Sequence, residues 1–176
     1  AKFAATADGL SQVSSAAITL AKASGDELGV ASENLVGVMN QFNLGAEESN
    51  RVINVLAAGQ AVGAASISQA SESYKNFGSV AASSNITLEQ SVGLIQTLAS
   101  KQIKGAEAGT ALRGVTLKLQ KAGIGYKSGQ FQINDALEAT NEAYRKLKTA
   151  KEKDNYLIKV FGAENISAGK TLLNNI

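Results

Sequence analysis

Four residue types are missing from this chain of 176 residues: histidine, cysteine, proline and tryptophan. Without histidine and cysteine, the sequence excludes cysteine nucleophiles, histidine general bases, zinc and haem sites that use either residue, and disulfides. Any catalysis would have to rely on Asp, Glu, Ser, Lys or Tyr. The length permits one compact domain or two small ones.

Aromatic residues are also scarce, at 5% of the chain, against 44% for hydrophobic residues as a whole. We therefore expect a core built mainly from small aliphatic side chains. The net charge of +2 is unevenly distributed. Residues 1–88 carry four Lys/Arg and seven Asp/Glu, whereas residues 89–176 carry thirteen and eight. The second half therefore offers positive charge to an anion or an acidic partner.

Long hydrophobic runs are lacking as well. The longest nearly uncharged apolar stretch, residues 55–67, is too short and too polar to span a bilayer. The chain begins at Ala1 and shows no basic-then-apolar signal segment. We therefore expect a single helical domain over residues 1–176, excised from the interior of a much longer protein.

Helix ends in a chain without proline must come from Gly, Asn and Ser. Capping boxes, which mark helix starts, are predicted at Ser66/Gln69, Thr87/Gln90 and Thr149/Glu152. Apolar residues recur at helical spacing after these caps. The predicted glycine stops are Gly25, Gly45, Gly63, Gly78, Gly105, 123–129 and 162–169. The pattern predicts an all-α fold of about eight or nine short helices, near 10–24, 26–42, 46–61, 66–83, 87–101, 105–122, 134–148, 150–161 and 164–175.

An internal repeat relates residues 43–64 to residues 85–106 without a gap. The identical positions include the first asparagine, a stripe of buried residues and the closing glycine. We interpret each copy as an antiparallel helical hairpin that needs a neighbour to bury its apolar face. Residues 124–133 differ from the rest, because they alternate apolar and polar side chains around a Ser-Gly turn. This pattern predicts a small β-hairpin that lies on the helices.

Motifs typical of catalytic or cofactor sites are weak. The pair Gly169-Lys170 suggests a phosphate-binding loop, but Glu164 occupies the position of the required earlier glycine. Gly123 and Gly125 lack the third glycine of a dinucleotide-binding turn. Paired carboxylates such as residues 47–48 fit helix first turns better than a hydrolase. We therefore expect no catalytic residue, no cofactor, no metal and no small-molecule substrate.

Basic residues of the second half could contact phosphates, although acidic residues lie among them and aromatic residues are few. We interpret them mainly as a solvated helix face, with weak DNA contact as the alternative. The residues are Lys101, Lys104, Arg113, Lys118, Lys121, Lys127, Arg145, Lys146, Lys148, Lys151, Lys153 and Lys159.

Gly105 and Gly109 are one helical turn apart, and this spacing allows another backbone to approach closely. We expect them to pack against a neighbouring helix. The segment from Ile103 to Arg113, with Thr110 and Leu112, resembles the core region of bacteriophage tail tape measure proteins. Residues 38–42, 46–51, 55–58 and 161–163 share this resemblance.

The resemblance implies a structural role and no enzyme activity. It implies a mostly helical chain inside the growing tail tube, which helps tail assembly and the determination of tail length. The implied partners are tail tube, tail tip and tail assembly chaperone proteins, with self-association as a further expectation. The implied locations are the virion tail lumen and, during assembly, the host bacterial cytoplasm. The alternative is a helical interaction or DNA-contacting module of a prophage or secretion-like system.

Overall fold

A computed structural model describes residues 6–175 of the chain. These residues confirm the predicted all-α fold with nine helices and one small hairpin. The elements are α1 (Ala7–Ser24), α2 (Leu28–Gln41), α3 (Ser49–Val62), α4 (Ile67–Ser83), α5 (Leu88–Ala99), α6 (Gly105–Lys121), β1 (Tyr126–Lys127), β2 (Gln130–Phe131), α7 (Ile133–Lys146), α8 (Ala150–Phe161) and α9 (Ile166–Leu173). Short 3-10 turns at Ala46–Glu48 and Ala163–Asn165 precede α3 and α9.

All three predicted capping boxes are confirmed, at the starts of α4, α5 and α8. At α5, the Thr87 hydroxyl accepts a hydrogen bond from the Gln90 N–H at 3.2 Å. The Gln90 side chain in turn accepts one from the Thr87 N–H at 2.9 Å. Both bonds satisfy N–H groups that have no partner inside the helix, and they fix where the helix begins.

The first six helices form two rows. Helix α3 contacts α1 and α5, while α4 contacts α2 and α6, and the α4–α6 contact is the largest in the molecule. The repeat copies therefore stack through equivalent helices, as expected of units that cannot bury their apolar faces alone. Helices α7, α8 and α9 pack at the end formed by α5 and α6.

The repeat copies begin with the same backbone joint. Asn43 and Asn85 follow α2 and α4 with φ of +54° and +57°, the left-handed conformation that asparagine tolerates better than most residues. In each copy the next N–H reaches back to a carbonyl five residues earlier, which is the Schellman helix ending. These bonds run from Leu44 to Met39 at 2.9 Å and from Ile86 to Ala81 at 2.9 Å.

The same ending follows α6, where Gly123 has φ of +69° and Ile124 N–H bonds to the Leu119 carbonyl at 3.1 Å. The second helix of each stacked pair therefore ends in one common way. Sequence identity revealed only two of the three positions, because glycine replaces asparagine at the third.

The two copies diverge at their second halves, despite identical residues. Gln60 lies within α3, whereas its equivalent Gln102 adopts φ of +66° after α5 has ended. Gly63 has φ of −116°, whereas its equivalent Gly105 has φ of +57°. The shared closing glycine therefore serves two different connections.

Two of the predicted glycine stops are wrong. Gly78 lies inside α4, where a Cβ atom would come within 2.6 Å of the Gln41 Cβ, so it permits close packing of α2 and α4. Gly169 lies inside α9, where a Cβ atom would overlap the Phe161 ring. Both glycines are interior packing positions, a use that sequence spacing does not distinguish from a helix end.

The predicted hairpin is confirmed. Strands β1 and β2 are antiparallel, with Tyr126 opposite Phe131 and a Ser128-Gly129 turn between them. Phe131 is buried, whereas Tyr126 is half-exposed. The two rings pack edge to face, with 5.7 Å between their centroids. The hairpin is therefore anchored to the helices through one aromatic side chain. In the part of the chain that the structure describes, no helix is long and apolar enough to cross a membrane.

Candidate functional site

The segment that carries the family resemblance forms the first two turns of α6. Within it, Gly109 approaches the backbone of α4 most closely. A Cβ atom on Gly109 would overlap the Ser73 carbonyl oxygen and lie 2.9 Å from the carbonyl carbon. The neighbour is backbone, which cannot rotate away as a side chain can. The absence of a side chain at Gly109 therefore sets how closely α4 and α6 approach.

Gly105 begins α6 in the left-handed conformation, and its carbonyl accepts a hydrogen bond from the buried Ser73 hydroxyl at 2.7 Å. The same hydroxyl lies 3.0 Å from the Gln69 carbonyl within α4. A Cβ atom on Gly105 would also come within 2.5 Å of a Glu72 carboxylate oxygen. The left-handed conformation and the limited space thus both favour glycine here.

Thr110 lies at the solvent edge of the same contact. The Asn76 side-chain amide of α4 donates to the Thr110 hydroxyl at 3.2 Å and lies 3.2 Å from the Ala106 carbonyl. The Thr110 hydroxyl in turn donates to the Ala106 carbonyl at 2.9 Å. A polar seam therefore joins α4 and α6 alongside the buried glycines.

Leu112 and Arg113 complete the candidate residues and face different surroundings. Leu112 is buried in the core, whereas Arg113 is exposed and takes part in none of the ion pairs found in residues 6–175. The structure thus brings Gly105, Gly109 and Thr110 together against α4. It leaves Arg113 outside that contact.

A second face of the same segment lines an open groove of about 380 Å³ between α6 and α9. Small side chains form much of this groove, and Glu107 and Glu164 lie at its walls. The sequence reasoning missed it, together with Gly114, where a Cβ atom would lie 2.6 Å from the Asn165 amide nitrogen. No helical spacing signalled Gly114, because it lies five residues from Gly109 and therefore on a different side of α6.

The glycines of the discounted nucleotide-binding motifs serve other parts of the fold. Gly169 belongs to a helix, and Gly123 and Gly125 are left-handed turn residues beside the hairpin. No group of three or more acidic side chains in residues 6–175 lies in position to hold a metal ion. The organised feature of this region is the α4–α6 contact.

An ion-pair network crosses the stacked copies. The Arg51 guanidinium on α3 contacts both carboxylate oxygens of Glu89 on α5, at 2.7 and 3.0 Å, and also Glu48 at 3.0 Å. The paired guanidinium holds the pKa of Glu89 below its ordinary value near 4.5. About half of the Glu89 side chain remains exposed, so solvent weakens the stabilisation.

We expect Glu89→Gln to make the free energy of unfolding depend less on pH in the acidic range. A lowered folded-state pKa means that the ion pair contributes fully above about pH 4.5 and is lost as pH falls through the lower folded value. The variant should lose a few tenths of a kcal/mol at neutral pH, and the loss should disappear in acid, where the wild-type Glu89 is itself protonated. Urea unfolding at several pH values measures this loss. Glu47→Gln, at the equivalent position of the first copy, is the control, and an equal pH effect in both variants would contradict the assignment.

Comparison with known proteins identifies the family of this chain. A family model described as "Phage-related minor tail protein" matches residues 4–162, which include α1 to α8 and the whole α4–α6 contact. The chain belongs to the phage-related minor tail protein family. It is therefore part of a structural protein of phage tails.

A relative of this minor tail protein supports the same identification. The chain is 27% identical over 174 residues to the tape measure protein of Pneumococcus phage Dp-1. The match covers 89% of the chain but 15% of that relative, so the chain spans a small part of the relative's length. The resemblance to tape measure proteins is thereby confirmed. No solved structure matches the chain.

Proposed function

We propose that this minor tail region is a folded assembly module of a tape measure protein and acts inside the tail tube. In this proposal the module supports tail assembly, while the parent protein as a whole also helps to determine tail length. The observation that carries the proposal is the near-complete match of the chain to a segment of a named tape measure protein. The module is proposed to act as one helical domain over residues 1–176, without catalysis, cofactor or metal.

The lengths of the helices favour a compact assembly module over one long helix that measures the tail. A ruler made of one continuous helix would extend this chain to about 260 Å, at 1.5 Å per residue. The longest helix among residues 6–175 is α1, with 18 residues, or about 27 Å. We therefore propose that length is measured by other parts of the parent protein.

The proposed partners are tail tube, tail tip and tail assembly chaperone proteins. The solvent-facing side of the family segment, with Arg113 and the groove beside Thr110, is the surface we assign to them. The proposed locations are the tail lumen of the virion and the host bacterial cytoplasm during assembly. Gly105, Gly109 and Leu112 act in this proposal by holding α6 in place.

Deletion of the region from the parent gene tests the module against the ruler. If residues 1–176 form an assembly module, the deletion should abolish or strongly reduce tail formation. Any tails that do form should keep their normal length. Tails shortened by about 260 Å in electron micrographs would contradict the module and identify a ruler segment.

Point variants separate loss of the module from loss of chain length. Replacing Gly109 by valine should disrupt the α4–α6 contact and reduce tail formation at unchanged chain length. Replacing Gly93 by alanine is the control, because no atom lies within 4 Å of the added Cβ atom. Full assembly with Gly109→Val, despite an unfolded region, would contradict the need for the folded module.

A further inference from the structure

Helices α4 and α6 lie in one row of the stack, so their equivalent positions can be compared. The alignment rests on their common endings, at Asn85 after α4 and at Gly123 after α6. It makes Ser71 of α4 the equivalent of Gly109 in α6. Because Gly109 lies against the preceding helix of the row, α4, Ser71 should lie against α2.

A cleft of about 50 Å³ between α2 and α4 shows that Ser71 does face α2. Ser71 lines this cleft from α4, while Asn34, Gly37 and Gln41 line it from α2. Direct packing resumes two helical turns later, where Gly78 of α4 meets the Gln41 side chain. The cleft thus lies where α4 carries a serine and α6, at the equivalent position, carries a glycine.

The Ser71 hydroxyl is buried without a partner from the protein. Only 4% of the residue is exposed, and its oxygen makes no hydrogen bond with any other group in residues 6–175. Thr116 carries a second hydroxyl of this kind, but it belongs to α6 and does not line the cleft. Burial of a hydroxyl without a partner is costly, and most buried polar groups bond to the protein or to ordered water. The Ser71 hydroxyl therefore favours a hydrogen-bonding ligand in the cleft.

The groups around the cleft fit water better than an ion. The Asn34 side-chain amide donates to the Ser68 hydroxyl at 3.3 Å, so its carbonyl oxygen can still accept a bond. Gln41 is half-buried and offers a second side-chain amide. Glu33 and Lys75 place charges of both signs at the exposed edge, so the cleft favours neither a cation nor an anion. An ordered water needs about 10 to 15 Å³ and two to four polar partners, and the cleft provides both.

We propose that this cleft binds an ordered water molecule, which bonds to the Ser71 hydroxyl and bridges α4 to α2. A bridging water is nearly as favourable in enthalpy as a direct hydrogen bond. The α2–α4 contact is then mediated by water at Ser71, whereas the α4–α6 contact is direct at Gly109. The two neighbours of α4 in its row are therefore held by different means.

A high-resolution crystal structure of the 176-residue chain tests the proposal directly. It should show one water about 2.5 to 3.0 Å from the Ser71 hydroxyl oxygen. The same water should bond to a side chain or carbonyl of α2. The proposal is overturned if the Asn34 or Gln41 side chain bonds to the hydroxyl directly. It is also overturned if the hydroxyl bonds only to a carbonyl of α4, or if an ion occupies the cleft.

The direction of the stability change in Ser71→Ala gives an independent test in solution. If water satisfies the hydroxyl, the variant loses a hydrogen bond. Its folding equilibrium constant should then fall about threefold to tenfold relative to the control below, measured by urea unfolding. If the hydroxyl is unpaired, the same change removes a costly buried group and the constant should rise. An unchanged or increased constant overturns the proposal.

Ser79→Ala is the matched control for this comparison. Ser79 is also inside α4 but is exposed, so its replacement reports the gain in helix propensity from serine to alanine alone. Circular dichroism checks that both variants keep their helices. The crystallographic test uses the unaltered chain and decides the proposal even if Ser71→Ala does not fold.

Discussion

Replacing Gly109 by alanine is expected to lower the free energy of unfolding by about 2 to 3 kcal/mol. The added methyl group would occupy the space of the Ser73 carbonyl oxygen, so α4 and α6 must move apart at their largest contact. This separation also stretches the bond from the Ser73 hydroxyl to the Gly105 carbonyl. Alanine is a better helix former than glycine by about 1 kcal/mol, and the expected loss is net of that gain. Urea unfolding followed by circular dichroism measures the change.

Gly93→Ala is the matched control for this prediction. Gly93 is also inside a helix, α5, but it is exposed and its added Cβ atom would meet no atom within 4 Å. The control should therefore gain about 0.5 to 1 kcal/mol from helix propensity alone. If both variants became more stable, the close approach of α4 and α6 would be contradicted.

Replacing Phe161 by alanine is expected to cost about 3 to 5 kcal/mol, because the ring is completely buried and leaves a cavity. The ring packs against Gly169, and the Phe161 carbonyl accepts a hydrogen bond from the buried Asn165 amide at 3.0 Å. Phe161 thus holds α8 to α9 at the end of the chain farthest from α1 and α2. The loss should appear as a lower midpoint of one cooperative transition, measured by calorimetry and by denaturant.

Ile158→Ala on the same helix is the control, since Ile158 is 45% exposed and should cost less than about 0.5 kcal/mol. The pair also tests the proposal of a single domain. If Phe161→Ala produced two separate transitions, or shifted only part of the unfolding signal, residues 1–176 would not form one cooperative unit.

The helix starts were predictable because they depend on residues three positions apart. Thr87 and Gln90 satisfy each other's backbone groups wherever the helix later packs, so the capping box is readable from the chain alone. Asparagine at position 43 and again at position 85 was likewise readable as a repeat. Its left-handed conformation was not, because the same residue also occurs inside helices.

The glycines show what local sequence patterns cannot predict. Gly78 and Gly169 resembled helix stops, yet both serve contacts with residues that are distant in sequence or on another helix. Gly105 and Gly109 were assigned correctly to the same helix, but the sequence did not identify the neighbour, which is Ser73. The distance in sequence between Gly109 and Ser73 explains this gap, since no periodicity connects them.

The sequence grouped the candidate residues in one segment but did not show how they divide between two surfaces. Gly105, Gly109 and Thr110 share one contact, whereas Arg113 lies in solvent on the same helix. The polar seam from Asn76 had no sequence signal, because asparagine is common on exposed helix faces. The family segment thus combines a packing surface and an outward surface in two helical turns.

The left-handed residues that end α2 and α4 also determine how this chain can change its length. Each joint depends on the backbone angles of very few residues, and the chain contains no proline. Rotation of a single φ and ψ pair is fast, whereas proline isomerisation takes tens of seconds. A pulling force that returned Asn43 to right-handed angles would align α2 with the segment that follows it. Extension and recoil of such a chain are therefore limited by helix packing and not by proline isomerisation.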